Sequence, residues 1–242
     1  IQAIKNSKFY HCDIRNTEEL SNIFETEQFD AVMHFASHIE VEESINQPAK
    51  YYNNNITGTL SLLDCMVKHR VKNIIFSSTA AVYGAPEYSP INEEHPIKPI
   101  NPYGQSKAMI GQILADYHEA YDLNFMCLRY FNVSGTDCHK EVVVPRRPIT
   151  HLIPLVLQAA SGRRESIAIF GSNYDTADGT CIRDFIHVND LCDAHLLALE
   201  HLLQGGDSEC LNLGNGKGFS VLEIIEAARK VTDKTIEVKH CE

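Results

Sequence analysis

The sequence predicts an α/β protein, a doubly wound parallel sheet with a smaller α/β domain woven into it. Three observations carry this. Short apolar runs alternate with stretches of helical period, the rhythm of β-α-β units. The runs are continuously apolar, as strands covered on both faces require, rather than strictly alternating. After Asn132 the rhythm breaks, and it resumes only at Phe185. The implied division assigns residues 1–134 and 184–215 to a main domain, and residues 135–183 and 216–242 to a smaller one.

Taken in order, Lys8-Phe9-Tyr10-His11-Cys12 reads as a strand ending at Asp13. Asn16 with Glu19 makes a capping-box-like start for a helix over Thr17–Phe24. Asp30–Ala36 is an apolar run of strand length. A long helix is predicted over Pro48–His69, with Ile56, Leu60, Leu63 and Val67 on one stripe. Asn73–Ser78 is the next strand, followed by a Pro-rich loop, 85–102. A helix then runs to about Tyr121, and Asn124–Phe131 is a further strand. Residues 135–150 are polar and Pro-containing; 151–161 is helical, Ile167–Gly171 a strand, and 175–183 a loop. The β-α-β rhythm returns with strand Phe185–Val188, helix Val188–Leu203 and strand Cys210–Leu213. Ser220–Val231 is a last helix and Ile236–Val238 a last strand. The first residues, Ile1-Gln2-Ala3-Ile4, read as the interior of a longer protein.

Composition narrows the function classes. With 44% hydrophobic residues, the 242-residue chain can bury a proper core. A net charge of −11 disfavours nucleic acid and anionic membrane as partners. The eight cysteines show no C-x-x-C pair and mostly sit in apolar runs, so they read as reduced thiols of a cytoplasmic protein. The twelve histidines show no metal-ligand spacing, so no metal is expected. No apolar run reaches the ~20 residues of a membrane span. Arg146-Arg147 and Arg163-Arg164 read as solvated surface.

The chemistry centres on Asn101-Pro102-Tyr103-Gly104-Gln105-Ser106-Lys107. Four residues apart on a helix, Tyr103 and Lys107 share a face. A free phenol is a poor base near neutrality, and an adjacent ammonium is expected to lower its pKa. The pair could then exchange a proton with a substrate hydroxyl. With ten tyrosines in the chain the spacing alone is a weak signal; the surrounding strand ends give it meaning. Ligands of doubly wound sheets bind beyond the carboxyl ends of the strands. There stand Asp13, Ala36-Ser37, Ser77-Ser78-Thr79 and Asn132, each directly after an apolar run. Thr79 could share a substrate proton with Tyr103, or simply make a Ser/Thr turn. Arg183, before Asp184 in a polar loop, suits a diphosphate through its bidentate fork, or else pairs with Asp184 at the surface. Gly214-Asn215-Gly216-Lys217-Gly218 imitates a phosphate loop, but Phe219 replaces the third glycine and too little chain follows for a nucleotide half-domain. It reads as a tight turn.

Together these pieces resemble the extended short-chain dehydrogenase/reductase family, whose main domain is Rossmann-like. The motifs are Asp13-Ile14-Arg15, His34-Phe35-Ala36, Tyr51–Asn55 with Gly58-Thr59, Phe76–Gly84, Asn101–Gly104 with Lys107, Leu128–Asn132, Phe170-Gly171, Asp178-Gly179-Thr180 with Arg183–Val188, and Asp190-Leu191 with Ala194-His195. Dehydrating members carry an Asp-Glu pair after the active-site Ser/Thr. Ala80-Ala81 stands here, which points to the C4-epimerising branch. The resemblance implies NAD as cofactor, a UDP-sugar as substrate, and interconversion of UDP-glucose and UDP-galactose through hydride removal at C4, rotation of a 4-keto sugar and hydride return. Another nucleotide-sugar epimerase or decarboxylase, or a non-catalytic nucleotide-sugar-binding module, is the alternative.

It further implies residue roles. Asp13 and Ile14 would flank the adenine. Phe35, Ala36, Ser37, Asn55 and Phe131 would line the cofactor, and Ser77 would sit beside its nicotinamide half. Tyr103 would be the base, Lys107 would hold the nicotinamide ribose, and Thr79 would bond the sugar O4. Asn132, Leu152, Phe170 and Arg183 would hold the UDP. His38 stands where some members have lysine, and His151 where some have asparagine. The family's Gly-rich loop would precede Ile1 and further sugar-pocket residues would follow Glu242. Relatives pair through a four-helix bundle that includes the Tyr–Lys helix, so a homodimer is expected.

Overall fold

A computed structural model describes residues 7–136 and 150–241. Arg146, Arg147 and Cys138 lie outside the described residues. Helix α1 (Thr17–Thr26) starts where Asn16 accepts from the Glu19 backbone N–H at 3.2 Å and returns a bond to the Glu19 carboxylate at 3.0 Å. Strand β1 (Val32–His34) follows. Lys8–Cys12 forms no strand, because no neighbouring strand pairs with it among the described residues.

The long helix expected over Pro48–His69 is broken. Short α2 (Val41–Asn46) and α3 (Pro48–Tyr51) lead into a π-helical turn, Tyr52–Thr57, before α4 (Gly58–Lys68). A wider turn here aims Asn55 inward, where it is buried. Strand β2 (Asn73–Thr79) ends in the 3-10 turn Ala80–Val82. Helix α5 (Pro102–Tyr121) has Pro102 in its first turn and is capped by Asn101, whose side-chain oxygen accepts from the Gly104 N–H at 2.8 Å. Strands β3 (Asn124–Tyr130) and β4 (Asn132–Ser134), helix α6 (Leu152–Ala160), strands β5 (Ile167–Phe170) and β6 (Ile182–His187), and helix α7 (Val188–Leu203) follow. The chain closes with β7 (Glu209–Leu213), β8 (Gly218–Ser220), α8 (Val221–Thr232) and β9 (Val238–Cys241).

The chain forms two compact units. One comprises the residues up to Phe131 with Asn189–Leu213; the other comprises Asn132–Val188 with the residues from Gly214 on. The first holds a parallel sheet in the order β1-β2-β3-β7, flanked by helices, a Rossmann-like arrangement. One face packs Ile74, Phe76, Phe125 and Cys127 with side chains of α1, α4 and α5. The other packs Ile75, Met126 and Leu128 against Ala198 and Leu202 of α7. Successive strand residues serve opposite faces, which is why the runs are apolar throughout. The second unit holds the sheet β4-β6-β8 and the pair β5-β9, with Val156, Ile167, Ile169, Ile225 and Ile236 as its core.

Candidate active site

The carboxyl end of β2 and the first turn of α5 build the centre. Gly104 allows their approach: a Cβ there would stand 2.6 Å from the Ala81 carbonyl oxygen. That brings the Tyr103 phenol near enough to the Thr79 hydroxyl for Thr79 to favour its ionised form. Thr79 itself accepts from the Ala81 N–H at 3.2 Å, so it makes its Ser/Thr turn. One turn along α5, Lys107 is 2% exposed. Its Nζ donates to the Ser77 carbonyl at 2.7 Å and lies 4.7 Å from the centre of the Phe76 ring.

The electrostatics correct one expectation. Burial pushes the Tyr103 phenol above its ordinary value, and the nearby Thr79 hydroxyl only partly opposes this. Burial also pulls the Lys107 ammonium down to about 7. The lysine therefore does not by itself bring the phenol into the neutral range. Its ammonium spends one of its three donors on Ser77 and keeps two for a ligand such as a pair of ribose hydroxyls.

A buried polar layer surrounds this centre. The Asn55 amide oxygen accepts from the His38 N–H at 2.8 Å, and its nitrogen donates to the His38 carbonyl and to Ser106 Oγ, both at 3.1 Å. With Asn54 also donating to its oxygen, the amide is fully committed. Asn55 thus fastens the loop after β1 to α5. His34 Nε2 lies 2.8 Å from Thr59 Oγ1, which donates to the Asn55 carbonyl at 2.5 Å. Burial first, and Lys107 second, hold His34 down at about 4. At the end of β3, Tyr130 Oη lies 2.7 Å from His195 Nε2.

Of the remaining expected cofactor residues, Phe35 is 55% exposed and Ala36 is exposed beside it, at the carboxyl end of β1. Ser37 Oγ donates to the His38 carbonyl at 3.1 Å. Asp13 binds Arg15 through its backbone N–H at 2.9 Å and its guanidinium at 2.6 Å, which holds the carboxyl far below the usual range. Ile14 packs on Gly58. Phe131 continues the sheet edge, its N–H donating to the Leu213 carbonyl at 3.1 Å. The exposed Phe35 and Ala36, with the spare donors of Lys107, suit an extended ligand carrying an aromatic ring and a ribose.

The second unit holds the four residues expected to grip UDP. Asn132 donates from Nδ2 to the Asp184 carbonyl at 3.0 Å. Leu152 packs against the core of this unit. Phe170, at the end of β5, is 69% exposed. Arg183 lies on β6 rather than in a loop and is exposed; its Nη1 donates to the Ile182 carbonyl at 2.8 Å. No surface pair with Asp184 forms. The Asp184 carboxylate instead accepts the N–H groups of Asn215 at 2.7 Å and Gly216 at 2.9 Å. The glycine turn therefore does cradle an anion, but an internal one. Gly216 takes φ +72° there with open space where a Cβ would lie. Arg163 and Arg164 are exposed.

Sequence reasoning gave no role to His34, Ser106, Tyr130 or His195. The signal was a titratable or hydroxyl group inside an apolar run or on the inner face of a helix. The seven described cysteines are all free, and no helix among the described residues is long and apolar enough to cross a membrane.

Residues 1–214 match the profile of the NAD dependent epimerase/dehydratase family. A UDP-glucose 4-epimerase of Halalkalibacterium halodurans is 52% identical over 234 residues, which are 97% of this chain and 70% of that protein. The UDP-glucose 4-epimerase of Brucella ovis, solved in complex with NAD, superposes with a TM-score of 0.94 at 44% identity, over 98% of this chain and 73% of that one. The enzyme of that name from Bifidobacterium longum, solved with NAD+ and UDP, gives a TM-score of 0.90 at 40% identity, over 98% and 71%.

Proposed function

Since the chain belongs to the NAD dependent epimerase/dehydratase family, we propose that it is an isomerase that interconverts UDP-glucose and UDP-galactose with NAD as its cofactor. The observation that carries this reading is the Tyr103 hydroxyl, near Thr79 at the carboxyl edge of a parallel sheet, with a buried Lys107 one turn on. When bound, NAD supplies reversible hydride exchange at the sugar C4 and, when oxidised, a positive ring. Tyr103 accepts the O4 proton and later returns it. Thr79 bonds O4 and keeps it within reach of the phenol. Lys107 holds the nicotinamide ribose, and Ser77 lies beside the nicotinamide. Phe35, Ala36 and Ser37 line the dinucleotide, with Asp13, Ile14 and Phe131 further along it. Asn132, Leu152, Phe170 and Arg183 receive UDP, the exposed ring for the uracil and the guanidinium for the diphosphate.

The test is conversion of UDP-galactose to UDP-glucose with NAD present. Tyr103→Phe should lower kcat by about 100-fold or more, the range of a lost general base, while the nucleotide still binds. An unimpaired Tyr103→Phe would remove the tyrosine from the chemistry.

A homodimer and a cytoplasmic location belong to the same reading. An apolar groove lined by Ala49, Tyr52, Ile56 and Met109, beside α5, supports the first. Free thiols support the second. Sedimentation of Met109→Lys should shift the chain toward monomer; an unchanged dimer would place the interface elsewhere.

A further inference from the structure

Tyr103 has a neighbour with the same functional group. Tyr130 ends β3 and is the register partner of Thr79 across the sheet. The Ser77 hydroxyl and a charge on Tyr103 both bear on its ionisation. Two phenols therefore stand at one sheet edge, and the reaction read above needs one mobile proton.

The difference between them is set by α7. His195 is 5% exposed, and its Nδ1 lies 2.8 Å from the Leu191 carbonyl oxygen. A carbonyl only accepts, so Nδ1 carries the proton. In the neutral ring Nε2 is then an acceptor, and across the 2.7 Å contact the Tyr130 hydroxyl must donate to it. What remains on the Tyr130 oxygen is acceptor capacity alone. The exposed Phe35 ring, 5.1 Å from the imidazole centre, covers the histidine from the β1 side.

We propose that His195, fixed as its Nδ1–H tautomer by the Leu191 carbonyl, is a positioning residue that turns the Tyr130 proton away from the reacting edge, so that Tyr130 offers only an acceptor there and Tyr103 alone carries the exchangeable proton. This rests on the epimerase reading for its consequence, but not for its geometry. The locked phenol has its partner in His195, and the mobile one faces the Thr79 hydroxyl. Burial pushes Tyr130 far up as well, which keeps its proton in place.

The geometry is tested on the whole chain labelled with 15N-histidine. His195, identified by the signal lost in His195→Gln, should show a protonated Nδ1 and a bare Nε2, and Tyr130→Phe should move the Nε2 resonance. A protonated Nε2, or no response to Tyr130→Phe, would overturn the proposal whatever the activity. The consequence is tested kinetically. His195→Leu should lower kcat about tenfold, as a 1.4 kcal/mol rise in the barrier would, with KM, bound NAD and Tm little changed. His195→Gln, whose side-chain oxygen can accept from Tyr130, should recover most of the loss. The double variant with Tyr130→Phe should be no slower than Tyr130→Phe alone. Additive losses, or a loss that follows Tm or NAD content, would refute it. Absence of turnover in the unmodified chain would strike the epimerase reading and leave the 15N result to decide the role of His195.

Discussion

Lys107 and Arg183 are both cations in an acidic chain, and they are held in opposite ways. Lys107 is 2% exposed, bonded to a strand carbonyl and set over an aromatic ring. Arg183 is exposed on β6 and gives one bond to its neighbour's carbonyl. The same contrast separates Tyr103, mostly enclosed beside Thr79, from Phe170, 69% exposed. Under the proposed function, the groups assigned to the proton are preorganised by burial, where each dipole counts for more, and those assigned to the nucleotide are left exposed. Substitutions in the first unit should therefore fall on kcat, and those in the second on KM.

The largest effect should come from Lys107→Met, which keeps the apolar stem and removes the charge. Loss of about 10²–10³ in kcat is expected, with KM for UDP-galactose within a few-fold. A loss confined to KM would break the contrast at its first point.

His34 sharpens the same side through stability. Its folded pKa is depressed from 6.5 to about 4, so the unfolded chain binds the proton more readily. The stabilisation is complete above pH 6.5 and is lost as pH falls toward 4. The full swing is about 3 kcal/mol. Urea unfolding at pH 7.5 and 4.5 should show this fall, and His34→Gln should flatten it. An equal fall in the variant would assign the acid sensitivity to other groups.

The second unit supplies the converse. Arg183→Ala should raise KM for UDP-galactose by about 10–100-fold, the worth of one or two charge-assisted bonds, with kcat nearly unchanged. Lysine at 183 should recover only part, because a point charge cannot reproduce the fork. A kcat loss as deep as that of Lys107→Met would show that Arg183 also serves the chemistry.

What the sequence disclosed follows the same divide. Apolar runs and caps made the sheet legible, since local pattern and burial agree there. The nearness of Tyr103 to Thr79 was foreseeable because both residues sit at element ends. The π-helical turn at Tyr52–Thr57 was not, because its cause is non-local: Asn55 must reach His38 and Ser106. Nor was the fate of Asp184. Adjacency to Arg183 suggested a pair, but two backbone N–H groups of a distant turn satisfy the carboxylate instead. The sign of the Tyr103 shift was misjudged for a related reason, since i,i+4 spacing says nothing about how deeply a phenol is buried.

Phe170→Leu should give the smallest effect and the cleanest reading. The ring ends β5, whose preceding residues Ile167 and Ile169 face the core, whereas Phe170 itself packs little. Stability should then change by no more than about 0.5 kcal/mol, as for other exposed substitutions. Leucine keeps an apolar side chain but removes the flat π face. If the ring stacks on the uracil, KM should rise about three- to tenfold, in line with ~1 kcal/mol for an aromatic contact, and kcat should stay level. Competition by free UDP should weaken by the same factor, because the uracil is common to both ligands. A KM rise without a matching change for UDP would mean that Phe170 reads the sugar instead, and the division between a proton-handling unit and a nucleotide-holding unit would have to be redrawn at that residue.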